Sequence, residues 1–260
     1  MTRRAVVTGA SSGIGEAAAR ALRASGWDVV AVARRAERLA ALEAEIGAAA
    51  FAADLTVQAD VDALAEWLAS TGEVHALVHV AGGARGTDRI EDGRPDDWQW
   101  MFEVNVLSSQ RVVAALLPLL RQAAASSGHA DTLFLTSTAA QNAYVGGAGY
   151  NAAKAGESMV AGALRLELNG EPIRVMEVAP GMVHTPEFTL NRLGGNADAA
   201  AAVYDGVQAP LVAEDVADVI AYALNAPGHV NLDLITMRPV AQSAQWLLAR
   251  GALAPKGYAQ

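Results

Sequence analysis

Short apolar runs alternate from one end of the chain to the other with longer stretches in which alanine and leucine recur at helical spacing. The runs at 6–8, 28–33, 49–52, 75–80, 132–136, 173–178 and 232–237 read as strands. Between them, 15–25, 36–46, 59–70, 98–120, 150–169 and 213–224 read as helices, because their apolar side chains gather on one face at three- and four-residue intervals. Strand alternating with helix predicts a parallel sheet, and strands that are apolar almost throughout predict helices on both of its faces. The expected fold is therefore α/β, a doubly wound parallel sheet in a single domain over 1–260. Three stretches, 82–95, 123–130 and 185–210, interrupt the pattern without a change of composition on either side. They read as loops, or as a lid, of one domain.

Composition narrows the function. With 260 residues, 52% of them hydrophobic, the chain can bury a large core. It has no cysteine, which excludes disulfides and thiolate metal sites and suits a reducing cytoplasm. A net charge of −9 and the lack of a dense Lys/Arg run argue against a nucleic-acid partner. The longest apolar stretch, 112–120, is broken by Pro118 and flanked by Arg111 and Arg121, too short for a bilayer. Met1-Thr2-Arg3-Arg4 runs straight into the first strand without the apolar core of a signal peptide. The expected location is the cytoplasm. The five histidines are scattered, and no metal site is expected.

The first strand ends in Thr8-Gly9-Ala10-Ser11-Ser12-Gly13-Ile14-Gly15, and a helix follows. Glycines here allow backbone angles closed to other residues and a close approach to a ligand. The helix N-terminus then offers free N–H groups and a partial positive charge to a pyrophosphate. An ordinary strand–helix turn can also be glycine-rich, but the first βα turn of such a sheet is where a Rossmann-type fold binds a dinucleotide. At the end of the second strand, where a site for NAD places an acidic residue, stands Ala33, followed by Arg34 and Arg35. The Arg34 guanidinium can grip a 2′-phosphate, which favours NADP(H), and at least one of the two arginines reads as a solvated charge.

The glycine spacing is G-x-x-x-G-x-G, not G-x-G-x-x-G. Asp54 follows the third strand, Leu77-Val78-His79-Val80-Ala81-Gly82 ends the fourth, and Asn105 lies in Val104-Asn105-Val106 of the long fourth helix. Ser137 closes the fifth strand, Tyr150-Asn151-Ala152-Ala153-Lys154 has the form Y-x-x-x-K, and Pro180-Gly181-Met182-Val183-His184-Thr185 the form P-G-x-V-x-T. Six such motifs in this order, over residues 4–239, resemble the short-chain dehydrogenase/reductase family. His79 and Val80 depart from it, standing where the family has two asparagines that brace the sheet.

The resemblance implies an oxidoreductase moving a hydride between NADP(H) and a carbonyl or alcohol of a small molecule. It divides the chain into a cofactor half at about 1–130, a catalytic and substrate half at about 131–240, and a tail at 241–260. Cofactor contacts are implied for Gly9, Ser11, Ser12, Gly13, Ile14, Gly15, Arg34, Arg35, Asp54, Leu55, Val80, Ala81, Gly82, Tyr150, Lys154, Pro180, Gly181, Val183 and Thr185. The catalytic set is Asn105, Ser137, Tyr150 and Lys154. Tyr150 and Lys154, four apart, share a helix face. A nearby ammonium and a neighbouring positive nicotinamide both lower a tyrosine from its ordinary value of about 10. Lowering it by about three units takes roughly 4 kcal/mol, which the two together are expected to supply. Tyr150 would then be general acid and base, Ser137 would donate to the substrate oxygen, Lys154 would hold the ribose, and Asn105 would distort its helix and seat a relay water. Ser137 lacks the G-x-S-x-G context of an acyl nucleophile.

Ser137, Tyr144, Tyr150, Met182, Phe188 and Leu190 are the expected substrate lining, with 185–210 as the lid. The tail at 229–239 resembles a branch holding small hydroxy-acid dehydrogenases and metabolite aldehyde reductases. A 3-oxoacyl-carrier-protein reductase is an alternative, as is a redox sensor that binds NADP(H) without turnover. The first would favour a basic patch beside the site; the second kind of protein typically loses the Tyr or the Lys. Family members commonly assemble, so a homo-oligomer, tetramer or dimer, is expected through the helices from Trp98 and Tyr150. No membrane contact is expected.

Overall fold

The computed structural model describes residues 2–255 and Gly257, so that Met1 and, from the expected tail, Lys256 and 258–260 lie outside the described residues. In chain order the elements are β1 (Arg4–Thr8), α1 (Gly13–Ala24), β2 (Asp28–Ala33), α2 (Ala36–Ile46), β3 (Ala49–Ala52), α3 (Gln58–Thr71), β4 (Ala76–His79), α4 (Pro95–Phe102) and α5 (Ser108–Ser127). The second half holds β5 (Ala130–Leu135), α6 (Ala148–Glu167), β6 (Ile173–Pro180), β7 (Val183–His184), α7 (Phe188–Arg192), α8 (Ala197–Ala202), β8 (Leu211–Val212), α9 (Ala213–Asn225), β9 (Ile235–Met237), β10 (Gln242–Ala244) and β11 (Leu247–Leu248). Seven strands form one sheet in the order β3-β2-β1-β4-β5-β6-β9, every neighbouring pair parallel. This is the doubly wound, single-domain sheet that the alternating pattern predicts.

Alternation along each strand builds two cores. Ala5 and Val7 of β1, with Val29 and Ala31 of β2, pack under α1, α2 and α9. Val6, Val30 and Val32, one residue out of phase, pack under α3, α5 and α6. A strand turns successive side chains to opposite faces, so the same few residues serve both layers.

The structure differs from the sequence pattern in three places. The helix expected at 98–120 runs from Pro95 to Ser127 and is widened by a π turn at Glu103–Leu107. It therefore absorbs most of the loop expected at 123–130. The strand expected at 232–237 is shorter, at Ile235–Met237. The stretch 185–210 contains α7 and α8, the latter started by the Asn196 side chain accepting from the Ala199 amide at 3.0 Å. Paired β7 and β8 close this excursion at its base. Among the described residues no helix is long and apolar enough to cross a membrane.

Candidate active site and cofactor cleft

A cleft of about 880 Å³ opens at the carboxyl ends of the central strands, where a doubly wound sheet presents its loops. Every residue assigned from sequence to cofactor, catalysis or substrate borders it, with Asn105 and Leu190 as the two exceptions.

At the first βα turn, Gly9 and Gly13 have φ of 67° and 56°, the left-handed region that favours glycine. A Cβ on Gly15 would lie 2.3 Å from the Gly9 carbonyl oxygen, so the turn can close only because position 15 has no side chain. Ser12 opens α1 without capping it by its side chain, which leaves the helix N-terminus to an anion. These residues fit a dinucleotide whose diphosphate lies on the turn. Thr8 ties the turn to β4: its hydroxyl accepts from the Val80 and Ala81 amides at 3.0 and 3.1 Å and lies 3.2 Å from His79 Nδ1. Having accepted twice, it keeps its proton to donate to that nitrogen. Burial, then the charge of Lys154, holds His79 down to about 3, so the ring is neutral. The bracing expected of two asparagines is thus done from β1.

Arg35 is fastened across the turn, donating to Ser11 Oγ (Nη2, 2.9 Å), Ser12 Oγ (2.9 Å) and Glu187 Oε1 (2.9 Å). Its guanidinium holds the Glu187 carboxyl below the ordinary carboxylate range. Arg34 is exposed at the cleft edge. Burial alone would raise Asp54, but bonds from the Thr56 amide and hydroxyl, with the charge of Arg34, bring it below its usual value.

Deeper in the cleft Tyr150 is 8% exposed, with Ser137 also buried and Lys154 one turn further along α6. Burial pushes the Tyr150 phenol up; Lys154, Arg192 and a hydrogen bond with Ser137 offset only part of this. From the protein groups alone the phenol thus stands above its ordinary value, whereas the expected lowering counted an oxidised nicotinamide beside the lysine. Burial is the larger effect; Lys154, which pulls the other way, donates from Nζ to Glu157 Oε2 at 2.6 Å and to the Leu135 carbonyl at 3.0 Å. Burial also pushes Glu157 up to about 7 against the pull of Lys154 and of Ser109, whose hydroxyl lies 3.3 Å from Oε1. Burial alone would lower Lys154; the Glu157 carboxylate more than offsets this and keeps it an ammonium.

Asn105 does not border the cleft. It sits wholly buried in the π turn, its Nδ2 donating to the Met101 and Gly83 carbonyls at 2.6 and 2.9 Å, while its Oδ1 accepts from the Gly83 amide at 3.1 Å. A Cβ on Gly82 would meet Asn105 Oδ1 at 2.5 Å and Lys154 Nζ at 3.3 Å, so this glycine lets both approach the 82–83 backbone. Leu190 misses the cleft for a helical reason. Phe188 and Arg192, four apart on α7, share the side that borders the cleft and Leu190 lies on another. The Phe188 and Tyr150 rings are 5.7 Å apart.

Sequence reasoning missed Glu157, Arg192, Gln242 and Gln245. Gln242 Oε1 accepts from the Met182 amide at 2.8 Å, and Gln245 Oε1 accepts from Thr138 Oγ1 at 2.6 Å, which brings the tail over the cleft. For Glu157 one signal existed, a carboxylate three residues after the lysine on the same helix.

Glu157 gives a pH prediction. Its folded value, about 7, lies above its ordinary 4.5. It favours the folded state fully below pH 4.5 and loses that contribution as the pH rises through about 7. Urea midpoints at pH 5 and pH 8 should therefore differ more in the parent than in Glu157→Gln. Equal differences would show that Glu157 does not titrate there.

A family model described as short chain dehydrogenase matches residues 3–192. An uncharacterised oxidoreductase of Mycobacterium tuberculosis is 50% identical over 242 residues, 93% of each chain. Serine 3-dehydrogenase of Agrobacterium fabrum is 38% identical over 250 residues, 94% of this chain and 96% of its own. Among solved structures, the closed form of a serine dehydrogenase complexed with NADP+ superposes with a TM-score of 0.88 at 30% identity, covering 96% of this chain and all of that one. With the glycine turn, the Tyr150–Lys154 pair and these matches together, the chain belongs to the short-chain dehydrogenase family of oxidoreductases.

Proposed function

We propose that this oxidoreductase uses NADP(H) and acts on a carbonyl or alcohol carbon of a small molecule, with Tyr150 as general acid in reduction and general base in oxidation. The observation that carries the reading is the buried Tyr150 phenol, set in the wall of the glycine-turn cleft beside Ser137 and Lys154. Bound there, the nicotinamide supplies or accepts the hydride. Ser137 donates to the substrate oxygen as negative charge develops, Tyr150 gives that oxygen its proton, and Lys154 holds ribose hydroxyls. A phenol kept protonated by burial suits the reductive direction. Asn105 positions the 82–83 backbone rather than touching substrate. The cofactor contacts are proposed for the 9–15 turn, Arg34, Asp54, Leu55 and the segments 80–82 and 180–185. The NADP+ complex of the related serine dehydrogenase supports that choice of nicotinamide.

Arg34 makes no hydrogen bond to another described residue, whereas Arg35 is committed to Ser11, Ser12 and Glu187. We therefore assign the 2′-phosphate to Arg34. NADPH should bind at least tenfold more tightly than NADH, about 1.4 kcal/mol, and Arg34→Ala should erase most of that gap with NADH binding nearly unchanged. Discrimination that survives in the variant would place the phosphate elsewhere.

A homo-oligomer is proposed as well. Met159 and Leu166 of α6 are 69% and 79% exposed and, with exposed Ala163, form an apolar stripe along one side of the helix. Light scattering at micromolar concentration should give a dimer or tetramer, and Met159→Glu should shift it towards monomer; a parent that is monomeric throughout contradicts this.

A further inference from the structure

Arg192 closes α7 with its guanidinium carbon 5.4 Å from the centre of the Tyr150 ring and 5.6 Å from that of Tyr144. Nε donates to the Gly86 carbonyl at 3.1 Å, Nη1 to the Tyr144 hydroxyl at 2.9 Å, and Nη2 to the Gly146 carbonyl at 3.2 Å. A guanidinium has five N–H donors, so three fix its orientation and two find no acceptor among the described residues. No carboxylate among the described residues pairs with it.

Apart from Arg34 at the cleft edge, assigned above to the 2′-phosphate, the other charges around the cleft are answered. Glu187 holds Arg35, Asp54 takes the Thr56 hydroxyl, Glu157 holds Lys154, and Asp97 lies 3.6 Å from Arg85. Arg192 is the half-buried cation left uncompensated beside the phenol, in a chain whose net charge of −9 would on average repel an anion. A fixed, partly desolvated guanidinium with free donors is the arrangement that recognises a carboxylate or similar oxyanion.

Resting on the oxidoreductase reading above, we infer that Arg192 binds an anionic group of the substrate, so that the enzyme acts on small oxo acids and the corresponding hydroxy acids. Tyr144 holds the guanidinium in place through its hydroxyl.

The test uses the full chain with NADPH and oxo acids of three to five carbons, each beside its methyl ester. For at least one pair the acid should exceed the ester in kcat/KM by roughly 100-fold, mostly through KM, as expected for a charged hydrogen bond in a desolvated site. Arg192→Gln should collapse that ratio to within about threefold, and Arg192→Lys should keep part of it. NADPH titration reports whether each variant is folded. Esters reduced as well as every acid by the parent, or a ratio that survives Arg192→Gln, would overturn the proposal. Calorimetric titration of butanoate against butanamide, with NADP+ present, reads the same preference without turnover. Acid preferred by the parent and not by Arg192→Gln supports the inference, and equal binding overturns it. If that preference stands but no carbonyl is reduced, the oxidoreductase reading fails and the anion site does not.

Discussion

Tyr150→Phe should leave NADPH affinity within about twofold of the parent while turnover of any accepted carbonyl falls by roughly 10²–10⁴, the usual worth of a placed acid–base group. The substitution keeps the ring and with it the packing against Phe188 at 5.7 Å, and removes only the hydroxyl. Ser137 cannot substitute, because an aliphatic hydroxyl is a far weaker acid than a phenol and can only hydrogen-bond the substrate oxygen, not surrender its proton to it. Fluorescence titration of NADPH alongside steady-state rates separates the two quantities. A variant with near-parental turnover would reject the mechanism even with the fold and the cofactor right.

Lys154→Met should damage three things at once. NADPH affinity should fall by roughly tenfold or more through loss of the ribose contact, and turnover by at least the amount seen for a positioned catalytic group. Stability should fall as well, because Glu157 is fully buried and would lose its partner at 2.6 Å. Breaking a buried pair costs up to about 3–5 kcal/mol. Because burial already raises Glu157 to about 7, the loss should be smaller at pH 6, where the carboxyl takes up a proton, than at pH 8. Adding Glu157→Gln to Lys154→Met should return much of the melting temperature and none of the activity. Activity that returned with stability would reduce Lys154 to a structural residue.

How much of this could be read from the sequence depended on range. The sheet was legible because its strands are buried on both faces, which leaves a local signature, and because Tyr150 and Lys154 declare their relation within one helical turn. The pairing of Lys154 with Glu157 is equally local, yet a glutamate in an alanine-rich helix reads as a solvent-facing charge. Glu157 is wholly buried in the fold, where Ser109, 48 residues earlier on α5, reaches its Oε1 at 3.3 Å. The direction of the Tyr150 shift was not legible either, since its largest cause, burial of the phenol, is decided by the fold. Arg192 was invisible for a similar reason: Gly86, Tyr144 and Gly146, which orient it, reach it only through the fold.

The first strand bears on design in a way its five residues do not advertise. Ala5 and Val7 face one core, Val6 the other, and Thr8 holds the amides that end β4. Deleting a single residue between Arg4 and Thr8 would shift the reading frame of the pleat by one and exchange its faces. The valines would tolerate the exchange, being apolar either way. The Thr8 hydroxyl would swing away from Val80 and Ala81, so a lesion remote from the reacting phenol would loosen the floor of the cleft while leaving much of the sheet intact.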